Sequence, residues 1–538
     1  MLKISRRKLL KTLGIAPSAL AISSAWMTPA SRASGGKKTV TAVMHSDLRL
    51  LDPIMTTAYI QRDFGYMIFD TLLATDANFK VQPQMAEWKV SDDKLTYTFT
   101  LRDGLKWHNG PPVTAEDCVA SLQRWGKVDG MGQKLMEYTA GIEAPDAETI
   151  TLKLKQPYGL VLETIGKPSS VVPFMMPKRL AETPPGKQIA EQIGSGPFKF
   201  VKAEFQPGVK AVYEKNPDYV PRKEPPSWTS GGKIVKVDRV EWITMPDAHT
   251  AVNALQSGDI DFMEVPPYDL LPVLEANPDI KVDTLNKFGF QTMGRMNFLL
   301  PPFDNVKVRR AALLAMNQKD VLDALVGNPK YYKTCGALFV CGTPLETDVG
   351  AGEIAKGGSM EEAKKELAAS GYDGTPIVIM APGDVVTLKA QPVVAAQLLR
   401  QAGFKVDLQA TDWQTVVSRR ALQKPVSEGG WNMFFTNWAA ADLMNPIVNY
   451  SVGGRGKSGG WFGWAEDAKI EKLKDEFARS SSPDEQKKIA AEIQKEAYDQ
   501  VIYVPLGQFV QPSAWRKSLS GVLDGPATPI FWNIDKSE

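Results

Sequence analysis

Histidine is almost missing from this chain: His45, His108 and His249 are the only three in 538 residues, far apart and without an H-E-x-x-H or similar spacing. A catalytic metal centre built from neighbouring ligands is excluded, and no metal or other cofactor is expected. Cysteine is as sparse, with Cys118, Cys335 and Cys341 alone. Three thiols cannot make a disulfide-dense scaffold. Long apolar runs are absent beyond the N-terminal segment, where none approaches the roughly 20 residues that span a bilayer. No internal membrane helix is expected. An excess of one charge is lacking too, since 63 Lys and Arg face 61 Asp and Glu. Setting aside residues 1–33, with Lys3, Arg6, Arg7, Lys8, Lys11 and Arg32 and no acid, takes the formal charge from +2 to −4. With no clustered basic face, nucleic acid is not a partner.

Those 33 residues read as a unit of their own. Ser5-Arg6-Arg7-Lys8-Leu9-Leu10-Lys11 is basic, Thr12 to Trp26 is moderately apolar, and Ser31-Arg32-Ala33 offers small residues to a signal peptidase. The pattern resembles a twin-arginine export signal, with Leu9 where Phe is common, and so predicts a periplasmic address. In an oxidising compartment Cys335 and Cys341, with five residues between them in a Gly- and Pro-containing loop, make a plausible local disulfide. Metal binding is the rival, but a zinc site there would lack ligands. Cys118 falls on an apolar helix stripe and reads as a buried free thiol.

A chain of this length exceeds one ordinary core, so two or three lobes are expected. Its most informative stretch is Leu101 to Ser121, LRDGLKWHNGPPVTAEDCVAS. Before it, Leu95, Tyr97, Phe99 and Leu101 alternate with threonines in the period of a half-buried strand. Asp103-Gly104 turns the chain, Thr114 can cap a helix, and Cys118, Val119, Leu122 and Trp125 share a helical face. Ala248 to Gln256 and Val308 to Met316 read as helices. Ser359 with Glu362, and Ser482, Pro483 and Glu485, read as helix starts. Apolar β-type runs at Thr375 to Met380 and Phe404 to Leu408 lie between such helices, which indicates α/β lobes.

The same stretch resembles a signature of the extracytoplasmic solute-binding proteins, family 5, of ABC importers. Further blocks carry the resemblance nearly end to end, among them Gly194-Ser195-Gly196-Pro197-Phe198, Glu214 to Tyr219, Ala254 to Asp261 and Pro302 to Ala311. The resemblance implies an α/β, bilobal periplasmic-binding-protein fold of the class II or cluster C type, with an extra inserted domain and a hinged ligand cleft. Lobe I would comprise 34–78, 196–289 and 505–538, lobe II 79–195 and lobe III 290–504. It also implies a monomeric receptor that captures a solute, a di- or oligopeptide first and an oligosaccharide, opine or metal chelate otherwise, and hands it to membrane permease subunits.

No catalytic set can be assembled from the residues, and an exported hydrolase is the distant second class. Ser451 to Gly460, SVGGRGKSGG, spells G-x-S-x-G and a dinucleotide fingerprint without the strand and helix that either needs. A flexible loop bordering the cleft is the expectation. In peptide-binding relatives a Trp, an Asp and a Pro occur in the stretch corresponding to Trp431–Tyr450, the Asp pairing with the peptide α-ammonium. Trp438, Asp442 and Pro446 match, although the Trp-to-Asp spacing is one residue longer here, and a loop Asp capping a turn is the other reading. Trp413, Trp461 and Phe462 are aromatic candidates for ligand contact. Tyr59 and Phe290 join them from resemblance to the first-lobe wall and the hinge.

Overall fold

The computed structural model describes residues 38–480, 482–526 and 528–537, so the export signal expected over 1–33 lies outside the described residues. Three sheets organise the chain. The largest is seven-stranded, in the order Phe198–Phe200, Lys210–Lys215, Arg239–Ile243, Thr39–Val43, Phe262–Met263, Ser513–Arg516 and Ile280–Asp283. Thr39–Val43 runs parallel to both its neighbours and the other pairings are antiparallel. Residues from the start, the middle and the end of the described chain thus share one sheet. Phe64, Tyr213, Trp242, Phe262, Trp515 and Trp532 fill its core.

The second sheet is four-stranded and antiparallel, in the order Ala86–Val90, Thr96–Leu101, Thr149–Leu154 and Thr139–Glu143. In Thr96–Leu101 the alternation seen in the sequence becomes burial of Tyr97, Phe99 and Leu101. The next helix, Ala115–Trp125, starts with a capping box in which Thr114 accepts from the Asp117 amide and Asp117 accepts from the Thr114 amide. It buries Cys118, Leu122 and Trp125, and Cys118 is a free thiol.

The third sheet has six strands, ordered Tyr332–Lys333, Val504–Phe509, Phe290–Met296, Met433–Ala439, Ile377–Pro382 and Val406–Thr411. Its helices include Met360–Ala369 and Pro483–Asp499, capped by Ser359 and Ser482 as their spacing predicts. Val504–Phe509 straddles the expected 504/505 boundary, so the chain leaves this sheet after Phe509. The entry into it is tight. Gly289 has φ +70°, and a side chain there would meet the Phe509 carbonyl oxygen at 2.2 Å. Cys335 and Cys341 form the disulfide, with their Cα atoms 5.9 Å apart, beside Tyr332–Lys333 at the edge of this sheet. No helix among the described residues is long and apolar enough to cross a membrane.

Candidate functional site

Sheet register assembles one wall of a cleft. Phe290 is paired with Ala439 on one side and Phe509 on the other, and Gln291 faces Trp438. The aromatic ends of these strands therefore emerge together. Opposite them stands Tyr59, the first residue of the helix Tyr59–Ile68, with ring centroids 6.3 Å from Phe290 and 6.5 Å from Trp438. Trp438 lies 5.2 Å from Trp461, which lies 5.7 Å from Phe462, and Trp438 is stacked on Tyr450 at 5.9 Å. Five of the aromatics singled out in the sequence, Tyr59, Phe290, Trp438, Trp461 and Phe462, thus form one continuous array, and Trp413 lines the cavity beside it.

Two cavities flank it. The first holds about 690 Å³ of space unoccupied by protein atoms, partly open to solvent, and is lined by Tyr59, Phe290, Trp413, Trp438 and Trp461 together with His45, Glu264 and Arg420. The second, of about 1300 Å³ on the same measure, borders Phe462 and the Gly-rich stretch at Arg455 to Gly460. Both share Thr57 and Trp461. The Gly-rich stretch does reach the cleft, but it is fastened: Arg455 donates to Gln133 at 2.9 Å, Glu137 at 2.8 Å and Glu471 at 3.2 Å. That fork replaces the flexible loop expected from composition. Its helical structure is the end of the 3₁₀ turn Tyr450–Val452 and the single turn Gly456–Gly459, and the strand-to-helix frame of a nucleophile elbow is not formed there.

Asp442 lines neither cavity. It closes the 3₁₀ turn Ala440–Asp442 and is buried behind Tyr59. Its Oδ2 accepts from Tyr59 Oη at 2.7 Å and Ser169 Oγ at 2.9 Å, and the Ala439 amide donates to the same Tyr59 oxygen at 2.6 Å. Its Oδ1 is buried with no partner among the described residues. Burial raises the carboxyl pKa above the usual aspartate range, against the pull of Arg62, the Tyr59 hydroxyl and Lys167. Residues far apart in sequence, 59, 169 and 442, converge on this carboxylate.

Sequence reasoning missed three cleft residues. Arg420 follows the helix Trp413–Arg419 and is buried against Trp413, Phe434 and Phe462 at 5.4, 5.8 and 4.7 Å from their ring centroids. Its Nη2 donates to Thr56 and Thr57 hydroxyls at 3.1 and 3.3 Å, while its Nε is buried without a partner among the described residues. His45 and Glu264 belong to the other wall. The His45 backbone amide and Nδ1 both lie 2.8 Å from Glu264 Oε2, and Asp63 Oδ2 is 3.9 Å from the same Nδ1. These three offer metal-ligand atoms within 4.8 Å of one another, which the scattered histidines did not lead one to expect. The Arg62 guanidinium bonds Asp63 Oδ1 at 2.8 and 3.0 Å, so with a protonated His45 the cluster already balances two cations against two carboxylates. Burial opposes that proton, but Glu264 and Asp63 outweigh it and raise the His45 pKa. This is a closed ion cluster in the cleft wall.

An aromatic cleft, closed on several sides by side chains from distant segments and carrying buried polar groups without partners, defines a binding protein for a small solute. Residues 80–459 match the bacterial extracellular solute-binding proteins, family 5, middle region, and the chain belongs to that family. It is 40% identical over 538 residues, 99% of this chain and 100% of the relative, to a probable peptide ABC transporter periplasmic-binding protein, y4tO, of Sinorhizobium fredii. The fold is shared with the periplasmic binding protein AgaA of A. tumefaciens R10, solved with agropinic acid (21% identity, 93% of this chain and 99% of that one, TM-score 0.77). It is shared equally with DppA of Helicobacter pylori, solved with the peptide STSA (21%, 93% and 99%, TM-score 0.75). The chain is an extracytoplasmic substrate-binding receptor.

Proposed function

We propose that this receptor captures a short peptide with a free amino end, closes on it, and delivers it to the permease of an ABC importer as a periplasmic monomer. The y4tO relative and the STSA complex support the peptide class. The observation that carries the reading is Asp442, a buried carboxylate directly behind Tyr59 of the aromatic cleft, with one oxygen oriented by two hydroxyls and the other unpaired among the described residues. Such a group complements an ammonium, and the charge-assisted contact repays its desolvation. Tyr59 would carry the signal of occupancy, since it touches both the cavity and Asp442.

The lobes proposed are 34–78 with 196–289 and the C-terminus, 79–195, and 290 to the end of the strand Val504–Phe509. Closure would then bend the two crossings at Gly289 and after Phe509. Ligand binding to both walls stabilises the closed form, which the permease reads. The receptor performs no chemistry on its cargo. Export by the twin-arginine route is proposed from Ser5 to Lys11.

The decisive test is identification of the solute retained by protein purified from its native periplasm, by native mass spectrometry followed by denaturation. Recovery of peptides supports the reading. A recovered oligosaccharide, opine or metal chelate replaces it, and conversion of any ligand by the purified protein would end the receptor-only assignment.

A further inference from the structure

Helix Gly130–Tyr138 carries two kinds of face. Met131, Leu135 and Tyr138 are its buried apolar stripe, and the Tyr138 ring lies 5.0 Å from Tyr158 of the same proposed lobe. Gly130, Gln133, Lys134 and Glu137 fall at i, i+3, i+4 and i+7, which places them together along one side. Each of these four bonds to the proposed third lobe. Tyr450 Oη accepts from the Gly130 amide at 2.9 Å and donates to Asp129, the residue that caps the helix. Arg455 donates to Gln133 and Glu137, and Lys134 donates to Asp475. A Cβ at Gly130 would lie 3.1 Å from the Tyr450 ring, so glycine permits the close approach.

The other side of the contact is the Gly-rich stretch and the helix Ala468–Arg479. Glu471 accepts from the Gly454 amide at 2.8 Å and from Arg455 at 3.2 Å, so it aims the guanidinium, and Asp475 stands one turn further along the same helix. Each cation and buried acid also keeps a partner within its own lobe. Asp129 has Lys167 at 2.6 Å, Lys134 has Glu137 at 2.8 Å, and Arg455 has Glu471. Glu137 and Asp475 are 49% and 37% exposed, so water reaches them already. Parting the lobes therefore strands no charge, unlike breaking the buried pair of Arg124 with Asp52. Polar contacts between domains are the kind that open. Tyr450 ties this one to the cleft, because the ring that stacks on Trp438, with planes 9° apart, carries the hydroxyl shared by Asp129 and Gly130.

We infer that the polar side of helix Gly130–Tyr138 and Arg455 form a latch that holds the second and third lobes together in the closed receptor, with Tyr450 linking the latch to the cleft at Trp438. The Gly-rich stretch, whose spelling imitates nucleotide and hydrolase motifs, serves as the mount for Arg455. Since every partner lost on opening is replaced by water or by a neighbour in the same lobe, the latch adds a modest bias that salt weakens. A solute packed on Trp438 restrains the Tyr450 ring, and so favours the closed latch. Release of the solute and opening of the latch are then coupled. The inference rests on the interlobe closure proposed above and not on the class of solute.

The experiment uses the mature receptor, a variant carrying both Arg455→Gln and Lys134→Gln, Tyr450→Phe, and Arg179→Gln as a control that breaks the exposed pair with Glu191 inside the second lobe. Small-angle scattering gives the radius of gyration at about 0.05 and about 0.5 M NaCl, hydrogen exchange follows residues 130–138, and a mixture of free dipeptides is the solute probe. Without solute, the parent should expand at high salt and the double variant should be expanded at both. Exchange at 130–138 should rise about tenfold in the double variant and stay unchanged in the helix Ala115–Trp125 of the same lobe. Tyr450→Phe, which keeps a ring on Trp438 and loses the hydroxyl, should raise the same exchange by less, and Arg179→Gln should match the parent. Dipeptides should leave the double variant faster than the parent. A double variant that matches the parent in radius and exchange, while dipeptides compact both, overturns the latch and leaves closure standing. Faster exchange throughout the second lobe with a lower melting temperature makes the contact structural and also overturns it. Tyr450→Phe identical to the parent removes the link to Trp438. One radius for every protein under every condition removes closure, and the latch with it. Dipeptides without effect, beside a radius that follows salt and variant, remove the peptide reading and support the latch.

Discussion

Residues 107–125 and 431–464 are both dense in buried tryptophan, yet they treat their polar atoms in opposite ways. In the first, Trp107 Nε1 donates to Asp117 at 3.2 Å, Trp125 Nε1 to the Val171 carbonyl at 2.9 Å, and Ser121 Oγ to the Met176 carbonyl at 3.0 Å. Nothing is left over. In the second, the indole nitrogens of Trp431, Trp438 and Trp461 and one oxygen of Asp442 are buried without partners. Polar atoms that are satisfied internally fix a fold, and those left unsatisfied beside a cavity are where a ligand can contribute. Burial does not distinguish scaffold from site, and an unsatisfied polar atom does so only beside a cavity, since Trp242 and Trp532 carry unpartnered indole nitrogens in the core of the seven-stranded sheet.

The comparison can be broken most forcefully at Trp125. Trp125→Ala should lower folding stability by about 3–5 kcal/mol, the usual cost of emptying a core aromatic site. Chemical denaturation would measure it, and titration should find unchanged affinity in the molecules that remain folded. At the site the balance reverses. Asp442→Asn should weaken binding of a free-amino peptide about 100-fold, and of its N-acetylated form hardly at all, with the denaturation midpoint near the parent's. Equal losses for the two peptides would remove the ammonium contact.

Two histidines sharpen the contrast through pH. His108 is buried with its Nε2 donating to the Gly196 carbonyl at 3.1 Å and its Nδ1 accepting from the Gly194 amide at 3.3 Å, and burial lowers its pKa to about 4. The unfolded chain takes up that proton first, so stability is lost as pH falls from about 6.5 towards 4. His45 has the raised pKa described above, so its contribution is complete below the ordinary histidine value and is lost as pH rises through the raised one. Urea midpoints across pH should therefore lose their acid-side slope in His108→Asn and part of their alkaline-side slope in His45→Gln. The smallest expected effect is Thr114→Ala, which removes a helix cap and should cost about 1 kcal/mol without altering binding.

What could be read in the sequence was whatever fits within a short window. The strand before Leu101, the Thr114 cap, the Ser359 and Ser482 helix starts and the Cys335–Cys341 pair are local, and local spacing carries them. The cleft is not local. Tyr59, Phe290 and Trp438 were reachable through resemblance, but no spacing joins His45 to Glu264, whose contact exists because Thr39–Val43 pairs with Phe262–Met263. Arg420 read as an ordinary arginine near a helix end, since nothing in VVSRRALQ tells which of two adjacent arginines turns inward. Asp442 was legible as a residue but not as a position: the extra alanine in Trp438 to Asp442 is taken up by a 3₁₀ turn, which sets the carboxylate behind Tyr59.

The seven-stranded sheet carries a consequence for how the chain is made. Ser513–Arg516 lies between Phe262–Met263 and Ile280–Asp283, so those two strands have no common neighbour until the far end of the polypeptide is available. The four-stranded sheet can form as soon as residues 86–154 exist, whereas the first sheet must wait for the rest. Long-range pairing of this kind is slow, and its strand edges stay open meanwhile. A chain stopped before residue 513 would keep every aromatic residue that lines the two cavities and lose the strand that joins Phe262–Met263 to Ile280–Asp283.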